Sequence, residues 1–164
     1  CSSDLRDMLT FVPGIVRGQA FALQCFTRPG DKVMVMTPVY HPFFLVTERL
    51  GREVVYSPLD LCEGHYHIDF ARFSRDIQGC KVLILCNPHN PGGRVWTVDE
   101  LRRIATVCKD SGTMVISDEI HADLTLPPYK HHPSHHQEIH PYETTWNHSS
   151  QKTTLYQQSS KDCP

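Results

Sequence analysis

Between Lys81 and Cys86 the chain runs through four aliphatic residues in succession, Val82-Leu83-Ile84-Leu85. A strand wetted on one face alternates polar with apolar side chains, so an unbroken aliphatic run belongs to a strand covered on both faces, as in the interior of a parallel sheet. Parallel neighbours need long crossover connections, usually helical, and the flanking sequence supplies them. From Phe11 to about Pro133, short apolar runs alternate with amphipathic stretches. A first helix is expected from Gly14, with Ile15, Ala22, Leu23 and Phe26 turned to the core, until Pro29-Gly30-Asp31 stops it. Val33-Met34-Val35-Met36 reads as a strand, Pro42 to Leu50 as a helix ended by Gly51, and Glu53 to Tyr56 as a strand. Asp69 to Ile77 reads as a helix with Asp69 as its cap. Thr97 with Glu100 three residues on forms a capping box for a helix whose apolar face is Leu101, Ile104, Ala105 and Cys108, closed by Gly112. Met114-Val115-Ile116 is the next strand. The fold class that follows is α/β, three layers with helices on both sides of a mostly parallel sheet.

After Lys130 the pattern gives way to His131-His132-Pro133-Ser134-His135-His136 and then a Thr-, Ser- and Gln-rich tail almost without aliphatic residues. Such a segment buries too little surface to order itself, which divides the chain into a patterned region, 1–133, and a polar tail, 134–164, read as disordered or frame-shifted. The chain starts at Cys1 in mid-pattern and is read as a fragment. A net charge of −2 with 21% charged residues calls for no polyanionic partner such as nucleic acid. No apolar run is long enough for a membrane span, and the first residues lack a secretory signal. Seven cysteines without a C-x-x-C pair read as reduced thiols of a cytoplasmic protein.

In open α/β sheets the working groups stand on loops at the carboxyl ends of strands, beside helix amino ends that can hold an anion. Four segments fall at such points. Phe11-Val12-Pro13-Gly14-Ile15-Val16 puts a glycine where backbone N–H groups could cradle a phosphate, and it also reads as an ordinary Pro-Gly helix start. Thr37-Pro38-Val39-Tyr40-His41-Pro42 sets Tyr40 just past a strand, free to stack on a flat heteroaromatic ring or simply to pack. Asn87-Pro88-His89-Asn90-Pro91-Gly92-Gly93-Arg94 is a constrained loop after the buried strand, with the Asn90 amide available for a directed hydrogen bond. Val115-Ile116-Ser117-Asp118-Glu119-Ile120-His121-Ala122-Asp123 ends a strand in acids and a histidine; Asp118 could pair with a protonated pyridine nitrogen or cap the following turn.

Taken in order and spacing, these four segments resemble the large domain of fold-type-I pyridoxal-phosphate enzymes, in the class I/II aminotransferase superfamily, over Phe11 to His132. The resemblance implies that Gly14, Ile15 and Val16 hold the phosphate of pyridoxal 5'-phosphate, Tyr40 stacks on its ring, Asn90 bonds its phenolic oxygen and Asp118 pairs with its pyridine nitrogen. His121 takes the place where relatives carry a Tyr or His near that oxygen, and the S-D-E-I-H-x-D form points to the cystathionine β-lyase or C–S lyase branch. Gly93-Arg94-Val95-Trp96-Thr97 and Tyr129-Lys130-His131 agree with it.

The implied activity of the intact parent is β-elimination of a thiol from a small sulfur amino acid, with transamination as the near alternative and a homodimer as the expected assembly. The family's cofactor-binding lysine sits in a Ser-Lys-Thr/Ser-Phe-Asn setting about thirty residues after the Asp, and that block is missing here. Lys152 lies near the right distance and Lys161 follows two serines, neither in those surroundings. With the family's amino-terminal segment and small domain also absent, a truncated, non-catalytic relic is the other reading, and no catalytic residue is assigned. Eleven histidines, among them His131, His132, His135, His136 and His140, raise a metal module as a third reading, and no metal ligand is assigned.

Overall fold

The computed structural model describes residues 10–133 and the strands Thr145–Trp146 and Thr153–Tyr156. Helix α1 (Ile15–Phe26) leads into β1 (Lys32–Thr37), α2 (Pro42–Arg49) and β2 (Glu53–Pro58). A short antiparallel hairpin, β3 (Asp60–Cys62) and β4 (His65–His67), precedes α3 (Phe70–Asp76), β5 (Cys80–Cys86), α4 (Val98–Ser111) and β6 (Met114–Asp118). A 3-10 turn at Ala122–Leu124 follows, and the last strands are β7 (Thr145–Trp146) and β8 (Thr153–Tyr156). The main sheet has the order β2-β1-β5-β6-β8-β7. Its β2-β1-β5-β6 portion is parallel, while β8 runs antiparallel to both β6 and β7.

The continuous aliphatic run is the middle of β5, where Val82, Leu83, Ile84 and Leu85 are all buried. Alternation sends its side chains to two separate cores. Leu83 and Leu85 join Met34, Met36, Phe73, Trp96, Leu101 and Ile104, so α3 and α4 cover one face. Val82 and Ile84 join Val33, Val35, Ala22, Leu23 and Phe43, so α1 and α2 cover the other. The chain steps outward from β1 to β2, returns across β1 to β5, and continues the opposite way to β6. Right-handed crossovers put helices from opposite directions of travel on opposite faces, which accounts for α2 and α4 lying on different sides. The reversal makes a topological switch point between β1 and β5, where a crevice opens beyond the strand ends.

Each expected helix and strand from Gly14 to Ile116 is present within a few residues of its anticipated limits. Asp69 caps α3 by accepting from the Ala71 and Arg72 N–H groups, and Thr97 and Glu100 form the capping box of α4. Gly112 ends α4 in the left-handed conformation at φ 67°. Arg52 is buried and locks the far end of α1, donating to the Thr27 hydroxyl at 2.9 Å and to the Leu23 and Thr27 carbonyls at 3.2 and 2.7 Å. Among the described residues no helix is long and apolar enough to cross a membrane. Lys152, Lys161, His135, His136 and His140 lie outside the described residues, as does most of 134–164.

Candidate active site at the strand carboxyl ends

Gly14, Ile15, Val16, Tyr40, Asn90, Asp118 and His121, singled out from four separate segments, line one hollow of about 600 Å3. Arg17, Phe43, Cys86 and Ile120 complete much of its wall and were not anticipated. Phe43 falls within the expected helix from Pro42 and Cys86 at the end of the expected strand from Lys81, positions that carry no local sign of a site.

The floor is the end of the sheet. Cys86 and Asp118 stand opposite each other as the last pair of β5 and β6, and the Asn87 N–H closes the ladder on the Asp118 carbonyl at 2.9 Å. Asp118 is 5% exposed and one carboxylate oxygen accepts from the Ile120 N–H at 3.0 Å. Burial raises its pKa to about 6, with Glu119 adding to the rise and the Ile120 N–H and His121 opposing it. A carboxylate held this way binds a cation or a proton more readily than one in water. Beside it, burial and the Asp118 charge push the Cys86 thiol up to about 12, so it stays protonated.

One wall is the amino end of α1. Gly14 sits at φ 97°, a conformation side chains rarely adopt, and a Cβ there would meet nothing within 4 Å. The helix has no side-chain cap and no acid in its first turn, so its positive pole faces the hollow uncompensated. Tyr40 forms another part of the wall, 43% exposed, its ring meeting Phe43 edge to face at 5.7 Å.

The Pro/Gly loop after β5 is braced from several sides. Asn87 is fully buried; its amide accepts from the Trp96 N–H and donates to the His132 carbonyl, each at 3.3 Å. The Trp96 indole donates to the Cys86 carbonyl at 2.9 Å. Arg94 donates to the Tyr66 carbonyl at 2.8 Å, pairs with Glu100, and lies over the Trp96 ring at 5.1 Å. Gly92 is required by close approach, since a Cβ would stand 2.7 Å from the Tyr66 ring. Behind Asp118, Glu119 is buried, accepting from Ser117 at 3.1 Å and meeting His131 Nε2 at 3.1 Å. Among the described residues no three His, Cys, Asp or Glu converge as a metal site.

The hollow thus combines an anion-attracting helix end, an exposed aromatic ring, an amide and a buried carboxylate, the complement of a flat cationic heteroaromatic carrying a phosphate. No lysine lines it among the described residues. The family model described as aminotransferase class I and II matches residues 3–144. Cystathionine beta-lyase PatB of Bacillus subtilis is 43% identical over 129 residues, 77% of this chain and 33% of that protein. Cystalysin of Treponema denticola, whose crystal structure contains pyridoxal 5'-phosphate, superposes with a TM-score of 0.79 at 33% identity, over 89% of this chain and 40% of that one. The pyridoxal-phosphate-bound C–S lyase of Staphylococcus hominis gives 0.79 at 30% identity, over 92% and 44%. The chain spans about a third of the length of the curated relatives it matches. On the match of its family model and the identity of these relatives, the chain belongs to the class I and II aminotransferase family, on its C–S lyase side.

Proposed function

We propose that this chain forms the pyridoxal-phosphate cradle of a C–S β-lyase acting on a small sulfur amino acid such as cystathionine. One observation carries this: Tyr40, Asp118 and the uncapped amino end of α1 border the same hollow, from three elements far apart in sequence. In this reading the N–H groups of Ile15 and Val16 bind the phosphate, the Tyr40 ring stacks on the heterocycle, and the Asn90 amide donates to the phenolic oxygen. Asp118 accepts the pyridine N–H, which relieves the cost of a carboxylate buried beside Cys86 and keeps the ring cationic. When bound, the cofactor supplies an electron sink for the pair left as an amino acid loses its α-proton. Cys86, protonated and apolar in behaviour, and Phe43 keep the floor dry and strengthen the Asp118 contact.

The lyase branch rather than transamination is favoured by His121, which borders the same hollow as Asn90, and by the C–S lyases among the relatives. The cofactor part is tested by titrating the full chain with pyridoxal 5'-phosphate and following its absorbance and the quenching of protein fluorescence. Saturable uptake that Tyr40→Ala and Asp118→Ala each weaken supports the cradle; equal uptake by the double variant overturns it. For the reaction, the longer protein containing this segment is assayed on cystathionine. Release of pyruvate and thiol supports elimination, and amino transfer to a 2-oxo acid without thiol release overturns it.

A further inference from the structure

His89 sits one residue before Asn90 but does not line the hollow; it is 2% exposed and its ring reaches across the switch point to Pro38. The β1–β5 pairing stops at Val35↔Ile84, whereas β1 stays paired with β2 to Thr37 and β5 with β6 to Cys86. The sheet therefore splits between β1 and β5 just below the loops that carry Tyr40 and Asn90. Among the described residues, the next hydrogen bond across this split joins His89 Nε2 to the Pro38 carbonyl at 2.7 Å. A carbonyl oxygen only accepts, so Nε2 carries the hydrogen and, in the neutral ring, Nδ1 is bare. The ring is not free to swing. It lies 5.5 Å from Trp96, and the His89 N–H and carbonyl are tied to the Arg94 carbonyl and the Gly93 N–H, both at 2.7 Å.

We infer that His89 is a positioning residue whose Nε2–H bond to Pro38 clamps the Tyr40 loop to the Asn90 loop and so sets the width of the hollow. Its use for pyridoxal phosphate rests on the function proposed above; the clamp itself does not. Burial lowers the imidazole pKa, outweighing the Pro38 and Cys86 carbonyls that favour the charged form, so the ring is neutral at neutral pH.

The test uses the full chain, 15N-labelled at histidine, with His89→Leu and His89→Gln; the glutamine amide N–H reaches the position of Nε2–H. The wild-type imidazole should show hydrogen on Nε2 with Nδ1 bare. Amide exchange at Val39 and Tyr40 should quicken in His89→Leu and return toward wild type in His89→Gln. With pyridoxal 5'-phosphate as probe, the Leu variant should bind about tenfold more weakly and the Gln variant within about threefold of wild type, as for loss and restoration of one buried hydrogen bond. Hydrogen on Nδ1, a Leu variant as tight as wild type, or a Gln variant no better than Leu would each overturn the clamp. Should the Leu variant fail to fold, the tautomer and the Gln variant still decide it. If wild type takes up no pyridoxal phosphate, the cofactor proposal falls, while the tautomer and amide exchange continue to judge the clamp.

Discussion

Two helices of this molecule start in opposite ways. At α4, the Thr97 hydroxyl accepts from the Glu100 N–H at 3.2 Å, the Glu100 carboxylate accepts from the Thr97 N–H at 2.8 Å, and Asp99 adds a second negative charge. The positive pole of that helix is used up by its own residues. At α1 there is a glycine without a side chain, no acid in the first turn, and a cation, Arg17, in that turn. One start is complete by itself and the other is left wanting an anion. Asp118 belongs with the second kind, a carboxylate kept out of water at the edge of the same hollow. A helix pole without an anion and a buried carboxylate without a cation are gathered at one hollow, which is what a binding site for a charged molecule requires.

Asp118 gives the largest expected departure from that contrast. Its folded pKa of about 6 lies above the unfolded value near 3.8, so between those values the native state binds more protons than the unfolded one. Stability of the ligand-free chain therefore falls as pH rises from about 4 to 6, and by pH 7 the ionised carboxylate costs on the order of 3 kcal/mol. Asp118→Asn keeps an oxygen for the Ile120 N–H and removes the charge. It should raise ligand-free stability at pH 7 by up to about 3 kcal/mol, flatten the pH dependence in that window, and abolish tight uptake of pyridoxal phosphate. Urea unfolding at pH 4 and pH 7 checks it; a variant no more stable than wild type at pH 7 would remove Asp118 from the strained set.

The self-contained region was the more legible of the two. Strand β5 and helix α4 follow from local signals, since a continuous aliphatic run, a capping box and a terminal glycine each act within a few residues. The hairpin of β3 and β4 escaped notice: Leu61 is 64% exposed, the flanking residues are polar, and its turn rests on positive φ at Glu63 and Gly64, so no core pattern marks it. Sheet order depends on contacts between distant segments and had no local signal. At the hollow, Gly14, Tyr40, Asn90 and Asp118 could be picked out because each follows or precedes an element end in an unusual string. That they meet, and that Arg17, Cys86 and Phe43 join them, is a property of the switch point between β1 and β5.

Giving α1 the acid that α4 already has would erase the contrast directly. Gly14→Asp and Gly14→Asn share the strain of a side chain at φ 97° and differ in charge. The Asp variant should bind pyridoxal phosphate about 30-fold more weakly than the Asn variant at low salt, because its carboxylate would repel a phosphate at the pole proposed to hold it. Equal affinities would show that the phosphate is held elsewhere. The reverse operation, Thr97→Ala at α4, should cost about 1 kcal/mol in thermal or urea unfolding and leave cofactor affinity unchanged.

The smallest effect is expected from Arg17, where stability and binding should move in opposite directions. A cation in the first turn opposes the helix dipole, so Arg17→Ala should stabilise the ligand-free chain by a few tenths of a kcal/mol. The same charge, exposed at the border of the hollow, attracts a phosphate across solvent, and its loss should weaken uptake by about threefold at low ionic strength. Screening shortens its reach to a few ångströms near 1 M salt, so the affinity difference should vanish there while the stability gain shrinks more slowly. Paired titrations at about 0.02 and 1 M salt measure this. A loss of binding that salt does not diminish would mean that Arg17 contacts the phosphate directly, and the first turn of α1 would then be a closed site of its own rather than an open pole.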